Sequence, residues 1–592
     1  MLRGSLIQVL KIATLRNTSR RSMTTLPKVI VQNREDDEDI HLSFKFGTSE
    51  LPERQFNFKR SKTEDLGRVF SRIINNISSA IAKKQKKKKT SSETDTSTTD
   101  DFNVQLTYKG TCVCEEEKNC DAWKNGAVLS VAGIEYEVSV NAPYVKSINL
   151  PCSIMAGFPL YPKLELEFAD QEDSKIVWYK TAEKLVNGGI NNKANNQKWV
   201  NAGEGYFYFP ETDDVGRFIK VICTPYQDSR TGLDKEAISA GMVEAGPGLC
   251  PFDERHLYTS SLTDKGSFRC VSYNILADLY ADSEYSRTVL FPYCPPYALA
   301  LDYRKQLLLK EILGYNGDVI CLQEVDSKVF HSDLYPLLKI AGLEGVFSEK
   351  GGQVVEGLAC FFRTSKFKLK DSKRVVLSEI LNSDPVFSDI HTKIYENQTL
   401  AEKIIARTTT LQVVLLESQE VLGKFLLIAN THLYFRPDAD NVRLLQTITC
   451  VRYIENILKQ TKEKDPNCEI AVVFCGDFNS CPEFGVYEFL TTGSISQDSP
   501  DWKSVPEEAV EGVKTSHSLK LDSSCGSPPY TNYTSGFYGC LDYIFYDTDL
   551  LKVSSIVPLP DHADVTQHVA LPSITFPSDH LALICTLQWL QG

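Results

Sequence analysis

Cys475-Gly476-Asp477-Phe478-Asn479-Ser480 follows the apolar run Ile470 to Phe474. A short apolar run closed by glycine reads as a buried strand whose carboxyl end presents polar side chains. Asp477 and Asn479 lie two apart, and on an extended chain such residues point the same way, so both would reach one phosphate or one metal-bound water. The plainer reading of the same letters is a Gly-Asp turn that merely ends a strand. What decides between the two is whether other strands end alike.

Five further runs do. Asn274 ends one in Ser272-Tyr273-Asn274-Ile275-Leu276, Glu324 another in Leu322-Gln323-Glu324-Val325, and His432 a third in Asn430-Thr431-His432-Leu433. Asp542 stands in Leu541-Asp542-Tyr543-Ile544, and Asp579 with His580 in Pro577-Ser578-Asp579-His580. Several carboxylates gathered at strand ends are costly to bury unless a cation neutralises them, and an oxygen-rich donor set selects Mg²⁺, or Mn²⁺, over zinc. Phosphoester hydrolysis needs an activated water and stabilisation of charge growing on phosphate oxygens, which these residue types supply together.

The surrounding texture from about Phe268 onward alternates strands and helices: Phe268 to Tyr273, Val319 to Leu322, Leu358 to Phe362, Phe425 to Ala429, Leu541 to Tyr546 and Leu581 to Leu587 are apolar runs, with helical spacing over Tyr303 to Leu313 and Arg443 to Thr461. That pattern predicts an α/β unit.

The ordered set Ser-Tyr-Asn-Ile-Leu, Leu-Gln-Glu-Val, Glu-Gly-Leu-Ala (Glu356 to Ala359), Asn-Thr-His-Leu, Gly-Asp-Phe-Asn, Leu-Asp-Tyr-Ile and Pro-Ser-Asp-His resembles the exonuclease/endonuclease/phosphatase superfamily in its deadenylase branch. The resemblance covers residues 265 to 592. It implies a four-layer α/β sandwich, two packed β-sheets flanked by helices, with the site at one end. It also implies removal of 3' poly(A) from RNA with release of AMP, and cleavage of 2',5'-linked oligoadenylate. On the matching positions Glu324 is the principal Mg²⁺ ligand and Asn274 orients the metal shell or phosphate. Asp477 activates water and joins the metal set, Asn479 and His432 stabilise the phosphate, Asn479 also being counted with the metal, and His580, oriented by Asp579, stabilises developing charge. Asp542 is a supporting acid on the substrate side. Pro437 and Phe537 stand at the spacings linked to adenine preference, and an aromatic ring there would stack a base.

The rest of the chain bounds the reading. The formal net charge is -13 over 592 residues, yet residues 1 to 34 hold seven Lys or Arg and no acid, leaving about -20 on the remainder. An acidic body must grip nucleic acid through a local basic groove and metal ions. Residues 1 to 25 mix Arg3, Lys11, Arg16, Arg20 and Arg21 with Leu, Ile, Ser and Thr, the composition of a mitochondrial transit peptide, so the matrix is the expected location. No apolar run is long enough to span a bilayer. Residues 40 to 245 show short alternating runs and predict a β-sandwich-like N-terminal domain used for binding or positioning. It carries one helix from Thr63 to Ile81, a Lys- and Ser/Thr-rich disordered loop at 83 to 101, and, in Trp178 followed by Asp213, Gly216 and Cys223, an immunoglobulin-type half-motif that requires no disulfide. Residues 246 to 264, with Pro247, Gly248 and Pro251, read as a linker. The 17 cysteines are odd in number and many lie in apolar runs, which favours reduced thiols; Cys112, Cys114 and Cys120 lack an evident fourth zinc ligand.

No leucine-rich repeat precedes the α/β unit, so membership of a large deadenylase complex is not expected and no obligate protein partner is evident. Two alternatives remain open on sequence: a same-fold phosphatase for a small phosphorylated metabolite or lipid headgroup, and a catalytically inactive RNA-binding protein.

Overall fold

The computed structural model describes residues 26–48, 51–88, 103–184 and 198–590. The expected transit peptide at 1 to 25 lies outside them.

The C-terminal unit contains twelve main strands: β1 Ser267–Asn274, β2 Val319–Asp326, β3 Leu343–Glu349, β4 Glu356–Arg363, β5 Phe367–Val376, β6 Thr410–Ser418, β7 Lys424–His432, β8 Glu469–Asp477, β9 Leu521–Ser523, β10 Asp542–Asp547, β11 Leu551–Ile556 and β12 Leu583–Trp589. They form two six-stranded sheets, in the orders β3-β4-β2-β1-β12-β11 and β5-β6-β7-β8-β10-β9. Each sheet holds one parallel pair, β1 with β2 and β7 with β8. A parallel pair needs a crossover, supplied by helix α1 (Leu301–Gly314) in the first sheet and α2 (Asp440–Lys464) in the second.

Period-two alternation along these strands sorts their side chains into layers. In β8, Ala471, Val473 and Cys475 pack between the sheets, while Ile470, Val472 and Phe474 pack under α2. In β1, Cys270 faces the other sheet and Val271 and Tyr273 face α1. The result is the expected helix-sheet-sheet-helix sandwich. Thiols and branched chains fill much of the central layer, with Cys270 and Cys475 sulfurs 3.7 Å apart. All 17 cysteines are free thiols, as the sequence suggested.

Carrying the alternation to the strand ends locates the site. Asn274, His432, Asp477 and Asp542 continue the inter-sheet rows of Cys270, Ile428, Cys475 and Ile544, so all four emerge at one mouth between the sheets. Glu324 does not follow in phase, since Ile320 and Leu322 face α1. A register shift between Leu322 and Val325, with Glu324 in the left-handed region at φ 55°, turns its carboxylate toward the same mouth. Two glycines let the chains pass closely here: a Cβ at Gly476 would lie 2.4 Å from the Thr431 carbonyl oxygen, and one at Gly357 would lie 2.2 Å from that of Ser348.

The N-terminal region departs from the single expected sandwich. Residues 28–140 form a seven-stranded sheet, beginning with Lys28–Asn33 and including Asp39–Phe46 and Arg54–Ser61, against the helix Leu66–Lys88, with one apolar core from Val29 to Val138. A second core, around Trp178, Ile219, Val221 and Cys223, belongs to a five-stranded sheet and a hairpin over residues 144–238. Trp178 and Cys223 lie in this one core, and Cys223 is a free thiol. The helix also runs on through Lys88, so the lysine run starts as helix and the disordered-loop reading can apply only to residues outside those described.

The expected linker is not one. Pro251–Arg255 and His256–Thr259 are helical turns, and Cys250 and Phe252 sit in the core under α1. Arg255 donates to the carbonyls of Pro558 (3.0 Å) and Ala582 (2.7 Å), fastening this segment to the second half of the unit. The second N-terminal core docks on the same side: Tyr161 Oη donates to Asp333 (2.5 Å) and the Met155 amide to Gln306 (3.0 Å).

Candidate active site

Asn274 stands at the centre of the mouth. Its Nδ2 donates to Glu324 Oε1 (3.1 Å) and to Asp477 Oδ2 (3.0 Å), so one amide holds two carboxylates together. Its own Oδ1 accepts from the Leu276 amide, and Ser578 Oγ donates to its carbonyl (2.7 Å). Glu324 Oε2 accepts from the Ala277 amide (3.0 Å). The loop after β1 is pinned from beneath by Arg304, wholly buried, which donates to the carbonyls of Ile275, Leu276 and Pro577.

Around Asp477 Oδ2 stand two imidazoles, His432 Nε2 at 3.5 Å and His580 Nε2 at 3.6 Å. Asp477 Oδ1 accepts from the Asn479 amide (2.9 Å). Here the extended-chain expectation is corrected: the strand ends at Asp477, Asn479 adopts φ 49°, and its Nδ2 turns to the Leu433 carbonyl (3.1 Å), tying the loop after His432 to the loop after Asp477. With Leu276 and Glu324, Asn479 makes three non-glycine residues with positive φ at this mouth. Strain of this kind is held in place where geometry serves function.

The orienting partner of His580 is also corrected. Its Nδ1 lies 2.8 Å from Asp542 Oδ2, whereas Asp579 accepts from Asn532 Nδ2 (3.2 Å). Neighbours in an extended chain face opposite ways, so Asp579 cannot reach the ring of the residue beside it. Asp542 is therefore a buried partner of the histidine and makes no substrate surface; it is 1% exposed.

Electrostatics divide the two histidines. Burial, then Lys350 and His580, push His432 well below its usual range, so it is neutral, and its Nδ1 is buried without a partner. Burial would lower His580 too, but Asp542, Asp477 and Asp579 outweigh it and hold it well above its usual range, as an imidazolium. Burial, and next the charge of Glu356, raise Glu324 to about 7. Asp477 is raised by burial and by Asp542.

These perturbed acids are the test of fit for a cation. Two carboxylates on one nitrogen, Asp477 buried and Glu324 partly so, with Glu356, Asp542 and Asp579 nearby, leave an excess of negative charge that a divalent ion would relieve. Asp477, Asp542 and His580 also place three donor atoms within 4.8 Å of one another. His580 Nδ1 is engaged by Asp542, and both asparagines present amide nitrogen to their neighbours. Glu324 and Asp477 could supply oxygen donors to a metal; Asn274, whose Oδ1 accepts from the Leu276 amide, holds the two carboxylates together, and Asn479 engages its neighbours through nitrogen.

The expected base-contacting residues lie on the rim. Phe537 is 47% exposed on the turn between Asn532–Tyr533 and Tyr538–Gly539, a hairpin bridged to the site through Asn532 and His580. Pro437 is exposed in the loop after β7, whose carbonyl accepts from Arg443 Nη2 (3.0 Å).

Sequence reading passed over the amides under the site. Gln323 donates to Asn430 (2.8 Å), Asn430 to Gln412 (3.2 Å) and Gln412 to Ser348 Oγ (3.1 Å), all buried. This chain ties the two sheets together directly below the mouth. Three amides and a hydroxyl placed in phase with inward apolar residues were the available signal. Lys350, paired with Glu356, and Tyr280, whose Oη donates to Glu356 (3.2 Å), were missed as well.

Residues 271–580 match the Endonuclease/Exonuclease/phosphatase family, and residues 142–244 match the 2',5'-phosphodiesterase 12-like N-terminal domain. The chain is 41% identical to 2',5'-phosphodiesterase 12 of Rattus norvegicus over 97% of its length and 96% of that protein. It is 43% identical to 2',5'-phosphodiesterase 12 of Homo sapiens over 90% of each chain. Similarity to the CCR4-Not complex 3'-5'-exoribonuclease subunit Ccr4 of Schizosaccharomyces pombe is 32% over 55% of this chain and 49% of that one.

Proposed function

The chain belongs to the Endonuclease/Exonuclease/phosphatase family, and within it we propose that it is a Mg²⁺-dependent phosphodiesterase that degrades 2',5'-linked oligoadenylate and removes 3' poly(A) from RNA, releasing AMP. The observation that carries the reading is the meeting of Glu324, Asp477, His432 and His580 at one mouth, joined by Asn274. Similarity to 2',5'-phosphodiesterase 12 over nearly the whole chain supports the 2',5' linkage, and similarity to Ccr4 over 55% of the chain supports action on a 3' end.

Glu324 and Asp477 would hold the cation, which when bound polarises a phosphoryl oxygen and lowers the pKa of water. The protein's own groups do the rest. Asp477, whose carboxylate faces the same position, would orient the attacking water and take its proton. The imidazolium of His580, fixed by Asp542 at Nδ1, turns Nε2 inward to stabilise charge growing on phosphate oxygens. Neutral His432 adds a hydrogen-bonding nitrogen without adding repulsion to His580. Phe537 offers a ring to the base, and Pro437 borders the same approach.

Purified protein incubated with 2',5'-oligo(A), 3',5'-oligo(A) and oligo(C) tests the reading. Release of AMP, faster from adenylates, is expected; free phosphate as the sole product would favour a metabolite phosphatase, and no product an inactive binder. The acid-free composition of residues 1 to 25 supports delivery to the mitochondrial matrix. Fractionation of the full chain and of one lacking residues 1 to 25 tests that, the second being expected in the cytosol.

A further inference from the structure

Beside the mouth runs a groove that the proposed chemistry does not use. It encloses 710 Å³ and is lined by Phe330, His331, Tyr335, Phe347, Glu349 and Arg374. It follows the edge strand β3 of the first sheet, and Arg374 reaches it from β5, the edge of the second.

Arg374 is held differently from the cations beside it. Lys370 and Lys373 on the same strand pair with Glu417 and Asp371. Arg374 donates only to the carbonyls of Glu349 (2.6 Å) and Lys350 (3.0 Å), and among the described residues it pairs with no carboxylate. Its guanidinium is fixed in place and exposed, with Glu349 the one carboxylate among the groove's lining residues.

Next to it are aromatic rings, Phe330 buried, Phe347 half-buried and His331 exposed. Phe330 and Phe347 stack at 4.9 Å, and exposed His331 meets Phe347 edge-on at 6.0 Å. A fixed guanidinium for phosphate beside aromatic rings for bases is the combination that holds single-stranded nucleic acid without reading its sequence. On a protein of net charge -13 such a local cation is what makes contact with a polyanion possible.

The groove is in reach of the site. Glu349 pairs with Gly357, and the Lys350 amide donates to the carbonyl of Glu356 (3.0 Å), at the start of β4, next to β2. Two strand spacings place its upper end about 10 Å from the strand of Glu324. At its lower end Tyr335 also borders a hollow with Asp170, Glu172 and Asp173, acids that would repel further phosphates. The groove therefore suits a short stretch of chain.

We propose that this groove is a second nucleotide-binding subsite, which holds the part of a single-stranded oligonucleotide beyond the scissile bond by a phosphate contact to Arg374 and stacking at His331 and Phe347. The proposal rests on the reading of the adjacent mouth as a phosphodiesterase site.

The test uses the full chain with His331→Ala and Arg374→Ala combined, both exposed, after melting curves establish that the variant folds. Wild type should gain kcat/KM from the 2',5'-linked adenylate dimer to the tetramer; the variant should cleave the dimer normally and lose about five- to ten-fold on the tetramer. Binding of a fluorescently labelled tetraadenylate in EDTA, read by anisotropy, should weaken to a similar degree, and its salt dependence should flatten by about 0.7 in log-log slope for the lost phosphate contact. Equal loss on dimer and tetramer, or unchanged anisotropy, would overturn the subsite. If wild type cleaves no adenylate yet the variant still binds the labelled tetramer more weakly, the subsite stands and the phosphodiesterase reading fails.

Discussion

Asp542 Oδ2 lies 2.8 Å from Nδ1 of His580, although 38 residues separate them in sequence. The neighbouring Asp579 faces Asn532 instead. Asp542→Asn should therefore remove the charge that keeps His580 protonated and lower kcat by about 100-fold or more, with little change in KM. Asp579→Asn should cost far less. Steady-state kinetics of both variants on 2',5'-oligoadenylate, with the high-pH limb of the kcat profile moving to lower pH only in Asp542→Asn, checks the assignment.

Burial, and then the charges of Glu356 and Asp579, raise Glu324 to about 7. Glu324→Gln should abolish hydrolysis while the metal-free protein melts no lower than wild type, because a buried charge is lost from a crowded cluster. Wild type should also gain thermal stability with Mg²⁺, about 2.7 kcal/mol at a hundredfold excess over the dissociation constant, and the variant should gain almost none. Melting curves with EDTA and with Mg²⁺ measure both effects.

Phe537 is about half exposed, so Phe537→Ala should leave the melting temperature nearly unchanged. Stacking of a base is worth about 1–3 kcal/mol, and a purine gains more of it than a pyrimidine. The ratio of oligo(A) to oligo(C) hydrolysis should fall, chiefly through KM. An unchanged ratio would remove Phe537 from base selection.

His256 is buried between Phe252 and Tyr315, with Nε2 3.0 Å from the Glu311 carbonyl, and burial pushes it down to about 4. Its folded value lies below its unfolded one, near 6.5, so the unfolded chain binds the extra proton between them. The stability tied to its neutral form is complete above about pH 6.5 and is lost as pH falls toward 4, on the order of 3 kcal/mol in total. Denaturation midpoints of wild type and His256→Gln should converge over that window; parallel pH curves would contradict the account.

Much of the site was legible because each residue ends an apolar run, and strands of one sheet bring their ends to one edge. Ser272 to Asn274, Asn430 to His432 and Cys475 to Asp477 needed only strand phase. Glu324 was legible as a residue but not in its aim, since a bulge reversed its face. The Asp542–His580 pair was hidden because the contact depends on sheet order, and adjacency in sequence pointed to Asp579. The amide chain from Gln323 through Asn430 to Gln412 joins two sheets, a relation no single strand encodes. The segment 250–259 looked like a linker from its prolines, but Phe252 and Arg255 bind it into the core.

The central claim is that the mouth, where Glu324 and Asp477 would hold a divalent ion, is the site at which adenylate phosphodiesters are hydrolysed. Chromatography of products from 2',5'-linked triadenylate tests it most directly, with wild type in Mg²⁺, wild type in EDTA, and Glu324→Gln in Mg²⁺. AMP should accumulate in the first reaction alone. AMP release in EDTA at the Mg²⁺ rate, or undiminished release by Glu324→Gln, would contradict the account.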